Sequence, residues 1–583
     1  MSTSALSWMN PSEPVVSSSS RSVRTGLGDT ADPITTEIIR QGLNAAAEHM
    51  KRTVIRTAFS PIIYEALDFA VALYDADLSM LSQAPTLPSF MGTLGFCVEA
   101  AVTAVGGPEN LEPGDVVLYN DPFGTGTHPQ DAALVVPIYA CDTLVGYAAI
   151  KAHWLDIGGK DPYCTDTVDV FQEGTIFPGV KLYEGDALVD PIYRMVLANS
   201  RIPDAVIGDI NAMVAGARSG GAALTRIVER YGLEEFRRCV ARIFDHGEAM
   251  VRHWFEQLPD GVYSASSVMD GDGVIGTPIP FEVTVRVHGS SVTVDYTNAP
   301  DQTVGPINSP LPSTVAVSRL AIAYLVGNEA PNEGHFRPLE VLTRPASIFH
   351  PIRPAPSFMY GVPSDHAIEM IITALAPALP DLVPASSGGD ICSLVWWGTR
   401  EETGEPWADG APHPVGLGAS RQGDGASTMI FHSESATRFT PAEIWEARNP
   451  WLIEQCALAE DSGGAGQFRG GLGLNLSFRV LEDCYITVAV ARTKLNPWGL
   501  EGGREGRPND LVIEFPDGRI ESHSLSTRVT LPKGTVVHLR SGSGGGHGDP
   551  ALRDVALIRR DLDEGYISSA HVAENYLHFS EID

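Results

Sequence analysis

Three short segments set acidic and imidazole side chains beside apolar runs that read as strands. The first is Glu65-Ala-Leu-Asp68-Phe69. The second runs from Asn120-Asp121-Pro122 through Gly124-Thr125-Gly126-Thr127 to His128-Pro129-Gln130-Asp131. The third is Lys151-Ala-His153-Trp154-Leu155-Asp156. His128 and Asp131 stand three apart just past a glycine-rich turn, so both can reach one point if the loop folds back. His153 follows the apolar run that begins at Leu144. Two neutral imidazoles with one or two carboxylates suit a borderline divalent ion such as Zn²⁺ or Mn²⁺. Such an ion brings the pKa of a coordinated water to about 7. Spacing alone leaves a plainer alternative open, because His-x-x-Asp in a loop is more often an ordinary turn with a solvated histidine. Asp68 lies too far along the chain to join the group on spacing grounds.

A scaffold must hold these segments. Asp32 can cap a helix whose first residue is Pro33. Ile39, Leu43, Ala46, Met50 and Val54 then recur at helical spacing, predicting a helix to about Thr57. From there to about Ala152 the chain reads as short strands: 69–74, 115–119, and an antiparallel pair at 132–140 and 144–151 with Cys141-Asp142-Thr143 between them. A turn-rich stretch covers 156–190. Helical patterns follow at 192–231, with an interruption near Ser219-Gly220-Gly221, and at 234–258. Residues 281–287 and 291–296 alternate around His288-Gly289-Ser290 and predict a hairpin. Helices are expected at 313–325 and 365–379. The whole predicts a mixed α/β (α+β), multi-lobed subunit. Its parts are a disordered tail at 1–31, a metal-site α/β region at 32–260, an α+β middle region at 261–410, and a glycine-rich, β-rich C-terminal region at 411–583.

Composition narrows the class. The 583 residues carry a net charge of −32, which excludes the basic surface that nucleic acid or anionic lipid requires. Seven scattered cysteines form no Cys-x-x-Cys pair, as expected of reduced thiols in a cytoplasmic protein. No stretch reaches the roughly 18 apolar residues of a membrane span. The serine-rich N-terminus lacks the apolar core of a signal peptide.

Three runs are dense in glycine: 461–471, 499–503 and 541–550. None is followed by Gly-Lys-Ser/Thr, and none joins a clear strand to a clear helix, so no nucleotide loop is visible. Close backbone approach is the first expectation for them; an amide nest for an anion is the alternative.

Taken in order, the segments resemble the hydantoinase B/oxoprolinase family over about Asp32 to Tyr576. The resemblance is carried by Asp32-Pro-Ile-Thr, Arg56-Thr-Ala-Phe-Ser60, Asp68-Phe69, Asn120-Asp121-Pro122, Gly126-Thr127-His128, Asp131, His153 and Asp156-Ile-Gly-Gly159. It continues through Glu173-Gly174, Asn332-Glu-Gly-His-Phe-Arg-Pro338, Asp461-Ser-Gly-Gly464, Arg469-Gly-Gly471 and Gly544-Gly-Gly-His-Gly-Asp-Pro550. It implies that Asp68, His128, Asp131 and His153 gather around one divalent metal, Zn²⁺ or Mn²⁺. It also implies a separate hydantoinase A-type subunit that binds ATP and Mg²⁺, in a hetero-oligomer. The expected activity is hydrolysis of a cyclic amide after the partner phosphorylates it, with Glu65 or Asp121 as base or orienting residue. The alternative is a subunit of an ATP-dependent ketone carboxylase of the acetone or acetophenone type. Two departures stand out. Thr86 and Phe90 replace histidines usual in the family, and Ala66-Leu67 replace basic residues, which points to a more apolar substrate pocket.

Overall fold

The computed structural model describes residues 31–327, 331–390 and 392–581. The expected tail lies outside them, except for Ala31. Asp32 accepts a hydrogen bond from the Thr35 amide at 2.8 Å and opens helix α1 (Pro33–Thr57), with Pro33 in its first turn. The predicted face, Ile39, Leu43, Ala46, Met50 and Val54, is buried. A short helix α2 (Pro61–Tyr64) leads to the first strands, β1 (Phe69–Asp75) and β2 (Met80–Gln83).

Seven strands form one antiparallel sheet in the order β2-β1-β5-β4-β3-β6-β7. The remaining members are β3 (Val116–Tyr119), β4 (Asp131–Ala140), β5 (Thr143–His153), β6 (Pro178–Glu184) and β7 (Ala187–Leu188). Helix α3 (Pro88–Ala104) covers one face, where Phe90, Leu94, Cys97 and Val98 share a core with Ala133, Val135 and Ala149. The other face packs against α1 and the later helices.

After a four-residue helix α4 (Pro122–Thr125), the helical run of the first half continues with α5 (Asp190–Ala198), α6 (Pro203–Tyr231) and α7 (Leu233–Phe255). Four-stranded and five-stranded sheets follow along the chain, the last two built from residues between Ser393 and Arg540. Mixed helices and several sheets are the class that the periodicities predict.

Three details differ from the sequence reading. Helix α6 runs unbroken through Ser219-Gly220-Gly221, and the break falls at 199–202 instead. Gly220 serves contact with α1, where a Cβ would lie 2.2 Å from Met50 Sδ, and Gly221 faces Ile138 of β4. Helix α3 occupies part of the region expected as strands, because its sequence is apolar almost all round and shows little periodicity. Strand β6 lies inside the stretch expected to be turns.

The glycine runs pack backbone on backbone. A Cβ on Gly544 would lie 1.8 Å from Leu417 O, and one on Gly545 2.1 Å from Trp498 O. The amides of Gly544, Gly545, Gly546, His547 and Gly548 donate to carbonyls of Gly471, Ser386, Arg504, Phe468 and Leu500 at 2.7–3.0 Å. Those donors are spent on the fold rather than presented to an anion.

Candidate metal centre

Strand register builds the centre. Asp131 opens β4, His153 closes β5, and the hairpin sets them directly opposite each other. Its turn, Cys141-Asp142, has both residues in the left-handed region, φ 49° and 58°, as a tight hairpin of matching twist requires. On the other edge of β5, Phe69 pairs with Ala152, which brings Asp68 alongside: the His153 amide donates to Asp68 O at 3.1 Å. Leu67, immediately before, sits at φ 66°, a conformation costing on the order of 1–2 kcal/mol for a residue with a Cβ. Such strain persists where the surroundings over-determine it, and it concentrates at functional sites.

His128 arrives from α4. The Asp121 carboxylate accepts from the Phe123 amide at 3.2 Å at the start of this helix. Gly126 ends it at φ 80°, where a Cβ would lie 2.7 Å from the Ser313 amide. The chain then folds back, and the Asp131 amide donates to His128 O at 3.1 Å.

Ligand atoms of His128, Asp131 and His153 all lie within 4.8 Å of one another. Asp131 Oδ1 is 3.0 Å from His153 Nδ1 and 3.3 Å from His128 Nδ1. All three side chains are buried. Asp131 Oδ2, His128 Nδ1 and Asp68 Oδ1 are buried without a hydrogen-bond partner. Each such orphan typically costs about 1–3 kcal/mol. Three converging from a His–Asp–His set and its neighbour fit a divalent ion, which would satisfy them together.

Electrostatics favour the ligating forms of His128 and Asp131, whereas His153 and Asp68 must give up a proton to bind a metal. Burial pushes the His128 imidazole down to about 3, despite the nearby Asp131, so it stays neutral with a lone pair available. Burial would lower His153 too, but its hydrogen bond to Asp131 and the nearby Asp68 raise it instead. Asp131 is held below the usual carboxylate range, because His128 and His153 outweigh the effect of burial. Burial pushes Asp68 up to about 7, and Asp131 adds to the rise.

The cluster forms one wall of a cavity of about 50 Å³, lined also by Leu87, Phe90, Tyr163, Phe358, Tyr360, Val395 and Glu434. Phe358 stacks on the His128 ring at 4.7 Å and 27°. Glu173 holds that aromatic in place by accepting from the Ser357 and Phe358 amides at 2.7 and 2.8 Å. Asp68 lines the same cavity, although its oxygens stand outside the mutual 4.8 Å of the other three.

Glu65 and Asp121 do not line the cavity. Glu65 pairs with Arg448 at 2.7 Å, and Asp121 pairs with Arg353. The carboxyl that does face the cavity away from the cluster is Glu434, which spacing could not find. Its Oε1 accepts from Ser89 Oγ at 3.1 Å and Ser433 Oγ at 3.3 Å, and Ser433 also donates to Asp365. Burial, reinforced by Asp68 and Asp365, pushes Glu434 well above the usual carboxylate range. No local pattern in Phe431-His-Ser-Glu434 marks it, because its neighbours in space come from distant segments.

Comparison with known proteins gives a consistent picture. The model of the hydantoinase B/oxoprolinase family matches residues 32–550. An uncharacterised protein of Methanocaldococcus jannaschii is 29% identical over 550 residues, covering 94% of this chain and 96% of that one. The caprolactamase subunit beta of Pseudomonas jessenii is 27% identical, covering 93% and 95%. The crystal structure of the ATP-dependent caprolactamase from that organism superposes with a TM-score of 0.86 at 26% identity, covering 94% and 96%. Acetone carboxylase shares the fold, with a TM-score of 0.84 at 18% identity over 94% of this chain and 79% of that one.

Proposed function

The chain belongs to the hydantoinase B/oxoprolinase family, and from that premise we propose that it is the metal-holding subunit of an ATP-dependent hydrolase of cyclic amides. A separate hydantoinase A-type subunit would bind ATP and Mg²⁺ and phosphorylate the amide oxygen. The observation that carries this reading is the buried His128–Asp131–His153 cluster, with unpartnered ligand atoms, in the wall of an apolar and aromatic cavity. The word "subunit" in the name of the Pseudomonas jessenii relative and the lack of a phosphate loop in the sequence support the partner.

Asp68, His128, Asp131 and His153 would hold the ion, Zn²⁺ or Mn²⁺. When bound, a divalent ion supplies Lewis acidity and lowers the pKa of water towards neutrality. The protein's own groups do the rest. Phe358 fixes the plane of His128, and Asp121 caps the turn that delivers it, so Asp121 has an orienting role. Glu65 ties α2 to Arg448 and orients from further away. Leu87, Phe90, Tyr163 and Val395 line the cavity and would exclude bulk water from a bound substrate, which strengthens every polar contact inside.

An amide resists attack because resonance stabilises it and nitrogen leaves poorly. Phosphorylation on oxygen turns it into an imidate-like electrophile. Water adds to that carbon, and the adduct then has two exits, phosphate or the ring nitrogen. Loss of phosphate would only regenerate the amide. A proton delivered from the Glu434 carboxyl to the ring nitrogen favours rupture of the C–N bond. The acyl phosphate left behind takes a second water and releases phosphate.

The test is ATP turnover by the purified pair of subunits over lactams, hydantoins and aryl ketones, with and without bicarbonate. Bicarbonate-independent ring opening is the expected result. Turnover that requires bicarbonate and a ketone would reject hydrolysis in favour of carboxylation.

A further inference from the structure

A buried cation lies one step behind the centre. Lys151 shares a face of β5 with His153, two residues away, and is fully buried. Its ammonium donates to Thr93 Oγ1 and Thr125 O, both at 3.0 Å. The Phe90 ring covers it, with the nitrogen 4.4 Å from the ring centroid. Among the described residues Lys151 forms no ion pair with a carboxylate; burial lowers its pKa, and Cys97, Asp131, Asp68 and Glu434 oppose that through space.

Phe90 also lines the cavity, which Lys151 does not, so its ring stands between the ammonium and the space where a substrate would sit. Among the described residues, no lysine or arginine lines that cavity, whereas Asp68, Asp131 and Glu434 do. The charge of an activating phosphoryl group is one that a dication can meet. A carboxylate elsewhere on the substrate ring would shed its water with nothing to replace it. The cavity of about 50 Å³ is smaller than the roughly 150 Å³ known to take a benzene, so a ring must press its walls apart. Phe90, only 2% exposed, is one of those walls.

Resting on the reading of the site as one for cyclic amides, we propose that Phe90 is a specificity-determining residue: by covering Lys151 it leaves the cavity without an accessible cation and selects uncharged rings over rings that carry a carboxylate. The pair 2-pyrrolidone and 2-pyrrolidone-5-carboxylate isolates this property, since the two differ only in that group.

The experiment uses the full chain with its ATP-binding partner and measures kcat/KM for both rings, with calorimetric binding of each in the absence of ATP. The native protein should favour the neutral ring by about 100-fold or more, the scale set by an unpaired polar group in a closed site. Phe90→Ala should narrow that ratio by about tenfold, through a gain on the carboxylate ring that a newly exposed ion pair can supply. Adding Lys151→Met should abolish the gain. If Phe90→Ala does not fold, Phe90→Leu keeps most of the volume and should narrow the ratio partway. Equal use of both rings by the native protein, or an unchanged ratio in the folded Phe90 variant, overturns the proposal. If neither ring is opened, the binding ratios alone decide the role of Phe90, and the hydrolase reading stands or falls on the wider panel of lactams and hydantoins; a native protein that binds neither ring, or both equally, also overturns the proposal.

Discussion

Replacing Glu173 with glutamine perturbs a single buried carboxyl whose surroundings are fully specified. Its Oε1 accepts from Thr167 Oγ1 at 2.9 Å and from the Ser357 and Phe358 amides at 2.7 and 2.8 Å. Its Oε2 has no partner. Burial wins over these hydrogen bonds and pushes the carboxyl from 4.5 up to about 8. Between those values the folded chain holds a proton that the unfolded chain has released. Stability therefore falls as pH rises through that window, and the full penalty is reached above about 8. At about 1.4 kcal/mol for each pKa unit the ceiling is about 5 kcal/mol. Glutamine keeps the Oε1 acceptor and cannot ionise. Unfolding entropy of about 2.1 cal/mol/K per residue, over a chain of this length unfolding as a unit, converts that ceiling into roughly 4 °C. Thermal melts at pH 5 and pH 8.5 should give equal Tm values at the lower pH and a glutamine variant more stable by up to that amount at the higher one. Parallel curves for the two proteins across the range would refute the reasoning.

Other substitutions probe the rest of the account. Asp131→Asn should lower metal content by about tenfold or more, abolish ring opening and remove the stabilisation that bound metal gives the melt; elemental analysis and calorimetry on the same sample check this. Gly545→Ala would place a Cβ 2.1 Å from Trp498 O, so the backbone must move, at a cost of about 1–3 kcal/mol or more in denaturant unfolding. Arg553 is fully buried and pairs with Asp424 at 2.7 Å and Asp561 at 2.6 Å. Arg553→Met removes the buried partner of both carboxylates but leaves them Arg469 and Arg560, so it should cost about 1–3 kcal/mol, read by the same unfolding.

Helix α1 was legible because capping and period agree from Asp32 to Thr57. Four strands of the central sheet, β1, β3, β4 and β5, were legible from short apolar runs bounded by turn residues; β6, in a stretch read as turns, was not. Helix α3 was not, since a helix whose sequence is apolar on nearly every face shows no stripe, although only one face of it is fully buried. The candidate metal-binding cluster divides in the same way. His128 and Asp131 could be paired by spacing. His153 could not be placed by counting back from the turn, because Ala140 pairs with Thr143 and only a bulge between Ile138 and Tyr139 shifts the register to set Asp131 opposite His153. Asp68 depends on which strand lies beside β5, and Glu434 depends on the approach of a segment about 300 residues away. Those are tertiary facts that no local signal in the sequence reports.

The most direct test of the central claim is to strip divalent metal from the full chain, confirm the loss by elemental analysis, and follow ring opening of a cyclic amide by NMR with the partner subunit and ATP. The account predicts that ring opening disappears on stripping, returns on reloading with Zn²⁺ or Mn²⁺, and does not return in His128→Ala. Full ring opening by the metal-free protein, or by His128→Ala, would contradict it.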